Sequence, residues 1–145
     1  MIDGVIIKDL RIIPDEKGDV RHMLRCDDPF FTEFGEVYFS FINPGQVKGW
    51  KKHLKQTQCF AVPIGTIKLV IYDDRQQSLT KGNIEEIVVG ADAYKLVRIP
   101  PGLWYSFSAM NKQVAMITNC TDIPHDPNEA IRKELNDLAI PYVWK

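Results

Sequence analysis

The chain has 145 residues, 45% of them hydrophobic and 26% charged, with a formal net charge of −1. That length suits a single domain over residues 1–145 with a buried core of its own, and the near-neutral charge argues against nucleic acid or a membrane surface as partner. No apolar run approaches the roughly 20 residues of a membrane span, Met1-Ile2-Asp3-Gly4 lacks a signal peptide's charged and apolar regions, and three scattered cysteines (Cys26, Cys59 and Cys120) read as reduced thiols, so a cytoplasmic protein is expected.

Strand signals follow one another closely, each bounded by Gly, Pro, Asp or Asn. Val5 to Ile13 reads as a strand closed by Pro14-Asp15-Glu16-Lys17-Gly18-Asp19, and Arg21 to Arg25 as a short one. Gly35 to Ile42 alternates and stops at the turn Asn43-Pro44-Gly45. Lys48-Gly49-Trp50-Lys51-Lys52-His53 then sets one histidine among basic residues, just ahead of the apolar strand Gln58 to Ile64. Gly65 joins that strand to Thr66–Asp73 as a tight hairpin, and Asp73-Asp74-Arg75 opens a polar loop running to Gly82-Asn83. Ile84 to Val89, Lys95 to Ile99 and Ala115 to Thr121 complete the strands, with Pro100-Pro101-Gly102-Leu103-Trp104-Tyr105 punctuating the last third. Only Asn128 to Leu138 has a helical start, Asp126-Pro127 before it and Glu129 and Glu134 within, enough for a turn or two. Eight or more short strands with almost no helix predict an all-β fold, a double-stranded antiparallel β-barrel with a short C-terminal helical turn.

In a barrel of this kind two central hairpins bring the polar ends of the His53 and Tyr105 segments to one mouth. Side chains alternate along a strand, so Lys51 and His53 share a face and Lys52 points away. A lone histidine among basic residues points to acid–base work on an organic substrate near neutral pH, and negative charge developing on that substrate then needs a donor. Lys51, Lys48, Tyr38 and Tyr105 are the candidates for that charge, and Tyr105 or Tyr38 for the proton donor. A metal would need about three or four converging His, Asp or Glu ligands; the motif positions offer one histidine, so neither a metal nor another cofactor is expected.

The ordered series Glu36-Val37-Tyr38-Phe39-Ser40, Pro44-Gly45-Gln46-Val47-Lys48-Gly49, Ile71-Tyr72-Asp73-Asp74-Arg75-Gln76-Gln77-Ser78, Ile99-Pro100-Pro101-Gly102, Asn119-Cys120-Thr121 and Trp144 resembles the sugar-nucleotide epimerase branch of the cupins, typified by dTDP-4-dehydrorhamnose 3,5-epimerase. The resemblance implies a cupin barrel, His53 as general base and a polarising carboxylate in the C-terminal segment, with Asp137 as the nearest candidate. The family's enolate-supporting lysine falls at Gln58, its acid tyrosine near Thr118, its histidine after the Pro-x-Gly at Tyr105 and its signature arginine at Lys48. Lys48-Gly49-Trp50-Lys51-Lys52-His53 with Gln58 is also similar in spacing to the dTDP-4-keto-6-deoxyglucose 3,4-ketoisomerases.

Both relatives imply a 4-keto-6-deoxyhexose on a nucleoside diphosphate as substrate. Arg21, Arg25, Lys48 and Arg75 are then candidates for the diphosphate, Phe30, Phe34 or Trp104 for the base, and Glu36, Tyr38 and Gln58 as further contacts. The readings open at this point are an epimerase serving deoxysugar or surface-polysaccharide synthesis, a ketoisomerase on the same class, and a non-catalytic sugar-nucleotide binder. A homodimer paired through edge strands is expected.

Overall fold

The structure is a computed structural model describing residues 1–145. Twelve strands and no helix make up the chain: β1 Ile6–Asp9, β2 Ile12–Ile13, β3 Val20–Arg21, β4 Glu36–Ile42, β5 Val47–His53, β6 Gln58–Ile64, β7 Thr66–Tyr72, β8 Ile84–Gly90, β9 Lys95–Ile99, β10 Trp104–Ala109, β11 Ala115–Thr121 and β12 Ala130–Arg132. They form two five-stranded antiparallel sheets, β1-β9-β6-β11-β4 and β12-β5-β10-β7-β8, with β2-β3 as a separate ribbon. This is the double-stranded barrel expected. Between the sheets lies an apolar core that includes Ile42, Val62, Ile67, Leu69, Ile71, Val97, Ile99 and Ile117, each almost wholly shielded from solvent. The alternation of β4 and β11 follows from having one face on this core.

Two expected strands are shorter than the apolar runs that suggested them. Val5–Ile13 divides because β1 has only the short β9 to pair with; Leu10 then turns its amide to the Tyr94 carbonyl and packs beneath Ala61 and Leu96. Of Arg21–Arg25 only Arg21 lies in a strand, β3, which begins at Val20 and pairs with Ile12–Ile13.

The C-terminal helical turn is absent. Within Asn128–Leu138 the chain instead runs as β12 along the open edge of β5, pairing Ala130 with His53 and Arg132 with Lys51. Trp50 and Lys133 extend the pairing with reciprocal backbone bonds of 3.1 and 3.0 Å. A helix this short is marginal on its own, whereas the edge of β5 offers it partners already in place. Beyond β12, Ile140, Tyr142 and Trp144 cover the outer face of the second sheet against Trp50, Val70 and Trp104.

A β-bulge breaks the alternation of β5. Tyr105 stands opposite Lys51 and Ser106 opposite Gly49, so Trp50 is an extra residue with no partner on β10. Gly49 has φ +131°, and a Cβ there would lie 2.6 Å from the Ser106 Cβ, so only glycine fits the approach. Lys48 now falls opposite the inward Phe107 and Lys51 opposite the inward Tyr105. Strict alternation would have put these two lysines on opposite faces.

β4 is one edge of the first sheet, and its outward residues Val37, Phe39 and Phe41 are 49%, 60% and 55% exposed. Gly65, at φ +73° between β6 and β7, has the Val114 carbonyl oxygen 2.3 Å from where a Cβ would sit. Gly65→Ala is expected to lose at least the roughly 1–2 kcal/mol of a left-handed non-glycine residue, and more from the contact. Urea unfolding of the two proteins measures this; equal midpoints and slopes would contradict it.

Candidate active site

One cavity of about 500 Å³ opens between the sheets, walled by Tyr38 and Ser40 of β4, Lys48 and Lys51 of β5, Phe60 of β6, Tyr105 and Phe107 of β10, Ile117 and Asn119 of β11, and Arg132 of β12. Its walls contain three cations and no carboxylate, histidine or cysteine. The apolar floor is built by Phe60, which meets Tyr105 and Phe107 edge-on at 5.5 and 6.3 Å between ring centres.

At one end Glu129, His53 and Tyr105 form a chain. His53 Nδ1 is hydrogen-bonded to the Glu129 carboxylate, and His53 Nε2 lies 3.1 Å from the Tyr105 hydroxyl. The second Glu129 oxygen accepts the amides of Lys55 and Gln56, each at 3.2 Å. With the carboxylate holding Nδ1–H, the imidazole offers its Nε2 lone pair to the Tyr105 O–H. Burial drives the His53 pKa down, and this outweighs the opposing pull of Glu129; the ring is neutral at pH 7. Burial alone would raise the Glu129 carboxyl, but bonds from His53 and the two amides hold it below its ordinary range. Burial pushes the Tyr105 hydroxyl far above the ordinary phenol range. His53 therefore stands behind Tyr105, and it is the Tyr105 side chain that forms the wall.

The opposite wall carries a second hydroxyl. Tyr38 accepts a 2.8 Å hydrogen bond from Asn119 Nδ2, which leaves its own O–H free to turn into the cavity. Asn119 also donates to Gln58 Oε1, Gln58 donates to Gln56 Oε1 at 2.6 Å, and Gln56 donates to the Ile123 carbonyl at 2.7 Å. Gln58 is thus buried behind the wall, a link in an amide chain between Tyr38 and the loop that holds Glu129.

Lys51 and Lys48 do reach the cavity. Lys51 is half-buried, and desolvation followed by the charge of Arg132 lowers its pKa. Lys48 Nζ bonds the Phe41 carbonyl at 2.5 Å.

The remaining candidates lie elsewhere. Asp137 is not the partner of His53: it accepts the Ala139 amide at 2.8 Å and faces Lys133, while Glu129, in the bend just before β12, takes its place. Arg21 is held by Asp19 and the Ala91 carbonyl, Arg25 by Asp27, and Arg75 by Asp73 and the Asp3 carbonyl. Each arginine is thereby spent on a local acceptor outside the cavity. Glu36 accepts the His125 amide, and Trp104 donates Nε1–H to Asp74 on the outer face beneath Lys52. Phe30 packs beside Met23 and Leu24, and Phe34 is 64% exposed. Glu129 and Arg132 are the site residues that the sequence reading missed, and the Asp126-Pro127 helix signal is what hid them.

A family model described as dTDP-4-dehydrorhamnose 3,5-epimerase matches residues 1–145. The chain is 30% identical over 146 residues to the spore coat polysaccharide biosynthesis protein SpsL of Bacillus subtilis, covering 99% of this chain and 97% of that one. It is 34% identical over 120 residues to the probable low-salt glycan biosynthesis epimerase Agl13 of Haloferax volcanii, covering 81% of this chain and 77% of the other. Among solved structures, a dTDP sugar isomerase from Desulfovibrio desulfuricans G20 superposes with a TM-score of 0.96 at 46% identity, over 99% of this chain and 92% of that one.

The neutral, buried His53 fixes a pH dependence. Near pH 6.5 an unfolded chain takes up the imidazole proton, while the folded chain, with its lowered pKa, does not. The unfolded state then binds more protons, so stability falls as pH drops from 7 toward 5. The Glu129 contribution is lost only at lower pH, as its depressed carboxyl protonates. Urea unfolding at pH 7 and pH 5 is expected to show a smaller loss in His53→Gln than in the parent; identical losses would contradict a buried neutral imidazole.

Proposed function

Because this chain belongs to the dTDP-4-dehydrorhamnose 3,5-epimerase family, we propose that it epimerises a nucleotide-linked 4-keto-6-deoxyhexose, with dTDP as the carrier, at carbon next to the ketone. The observation that carries this reading is the placement of two proton-handling hydroxyls on facing walls, Tyr105 of β10 backed by His53 and Tyr38 of β4 backed by Asn119. Inverting a carbon requires a proton to leave on one face and another to arrive on the opposite face. Two hydroxyls on facing sheets meet that need, and this favours epimerisation over a ketone shift. The names of SpsL and Agl13 support a role in polysaccharide or glycan synthesis.

The chemistry follows from the protonation states. A free Tyr105 phenolate is too costly in this burial, so the hydroxyl passes its proton to His53 Nε2 as it takes the one from carbon. His53 becomes an imidazolium beside the Glu129 carboxylate, and the C–H electron pair moves into the enolate. Tyr38 then delivers its proton to the other face of that carbon, and the cycle closes as solvent reprotonates Tyr38 and the His53 imidazolium gives up its proton. The walls hold no cluster of metal ligands, and no step of this sequence calls for one.

Proton NMR of dTDP-4-keto-6-deoxyglucose in D2O with the protein is expected to show deuterium entering at C3 or C5 with inversion. Removing a general acid or base typically costs roughly 10²–10⁴-fold. His53→Asn is expected to lose exchange and inversion alike by that order, and Tyr38→Phe to lose inversion while exchange with retention persists. A 3-keto product would mean a ketoisomerase, and silence a binder. The parent's rate should fall only below the ordinary imidazole value of about 6.5.

The proposal extends to a cytoplasmic homodimer. The exposed Val37, Phe39 and Phe41 on an edge strand form the kind of apolar ladder that a free monomer avoids. Light scattering after size exclusion should give twice the 16.6 kDa chain mass, and Phe39→Lys should shift it toward the monomer; a monomeric parent would reject the dimer.

A further inference from the structure

Lys51 and Arg132 stand directly opposite each other on β5 and β12, and both reach the cavity. Like charges in opposed positions on neighbouring strands destabilise a sheet. Nearby cations are matched, Lys52 with Asp74 and Lys133 with Asp137, whereas Lys51 and Arg132 make no ion pair. Glu129 reaches Lys51 only through its charge, since His53 and two backbone amides occupy its oxygens. The protein therefore keeps two adjacent positive charges, neither in an ion pair, on a wall free of carboxylates.

Their position in the cavity narrows what they serve. The charge of Arg132 bears on both His53 and Tyr105, and that of Lys51 on His53, so the pair sits at the proton-transfer end. Lys48 lies at the level of Phe107, further from that end. Proton removal beside a ketone creates negative charge on the carbonyl oxygen. Preorganised charge aimed at such an oxygen is the largest single source of catalysis in many sites.

We propose that Lys51 and Arg132 together form the oxyanion site that holds the enolate oxygen during proton transfer. As the C–H bond breaks, its electron pair forms the carbon–carbon double bond and the carbonyl π pair moves onto oxygen. The proton goes to the Tyr105–His53 pair, and no oxidant or reductant enters. The repulsion between the two cations is relieved as that negative charge develops, more in the transition state than with the neutral ketone, which is the condition for raising kcat.

This inference rests on the proposed function, and the test separates the two. Arg132→Gln and Lys51→Gln are each expected to lower kcat for deuterium exchange by roughly 10²–10³-fold, as for loss of one oxyanion donor. Affinity for dTDP, which carries the diphosphate but no ketone, should stay unchanged in both, and Arg132→Lys should restore most of kcat. Without ligand, Arg132→Gln should melt about 1–3 °C higher than the parent, because a repulsion has been removed. Loss of dTDP affinity, alone or together with kcat, would assign the pair to the diphosphate and overturn the inference. An unchanged kcat, or a lower melting temperature in ligand-free Arg132→Gln, would also overturn it. Exchange by parent and variants alike defeats the inference alone, whereas a parent without exchange defeats the proposed function as well.

Discussion

Glu129 is a carboxylate only 6% exposed, set at the end of an apolar barrel. A buried carboxylate is tolerated only if its oxygens are satisfied, and here His53 and the amides of Lys55 and Gln56 do so. Much else follows from that requirement. The imidazole is fixed with Nδ1–H toward the carboxylate, which aims Nε2 at Tyr105. The turn at residues 54–57 is pinned by its own backbone, and β12 is registered on β5 so that Ala130 meets His53 and Arg132 meets Lys51. Losing the carboxylate would disturb the tautomer, the turn and the strand edge together.

The same loop connects the two walls. Gln56 gives its amide N–H to Glu129 and its side chain to the chain that runs through Gln58 and Asn119 to Tyr38. Linked hydrogen bonds in a low-dielectric interior reinforce one another. The hydroxyls on opposite sheets therefore share one scaffold, and the distance between them is set in part by Gln56 and Gln58, side chains that lie behind the cavity wall.

The barrel was legible in the sequence because its signals were local: apolar alternation, Asn43-Pro44-Gly45, the Gly65 hairpin and Pro100-Pro101-Gly102 each mark an element where one is found. His53, Tyr105, Lys51 and Tyr38 converge because strand alternation and hairpin order already imply it, whereas Lys48 joins them only through the bulge at Trp50. The carboxylate was misplaced for a physical reason. Asp126-Pro127 with nearby glutamates is as good a helix start as any in the chain, and only the open edge of β5, a tertiary fact, turns the segment into a strand. The arginines were misjudged in a different way. Arg21, Arg25 and Arg75 each have an aspartate two residues away that captures them, and local pairs of that kind outcompete a distant ligand site. Arg132 has Glu134 two residues on but makes no ion pair with it, and it is the arginine that faces the cavity.

The extra residue in β5 works as a phase shift in the strand's pattern. Counting by twos from His53 gives the inward positions correctly as far as Lys51, but before Trp50 the count is out of step, and the inward residue is Lys48 rather than Gly49. An alignment of relatives that carries a gap at this point will exchange the inner and outer faces of everything upstream. A lysine or arginine in the motif can then be scored as lost when it has moved to the other side of the sheet. Comparisons across such chains are sounder when anchored on the strand facing the bulge, where Tyr105 and Phe107 keep an unbroken alternation.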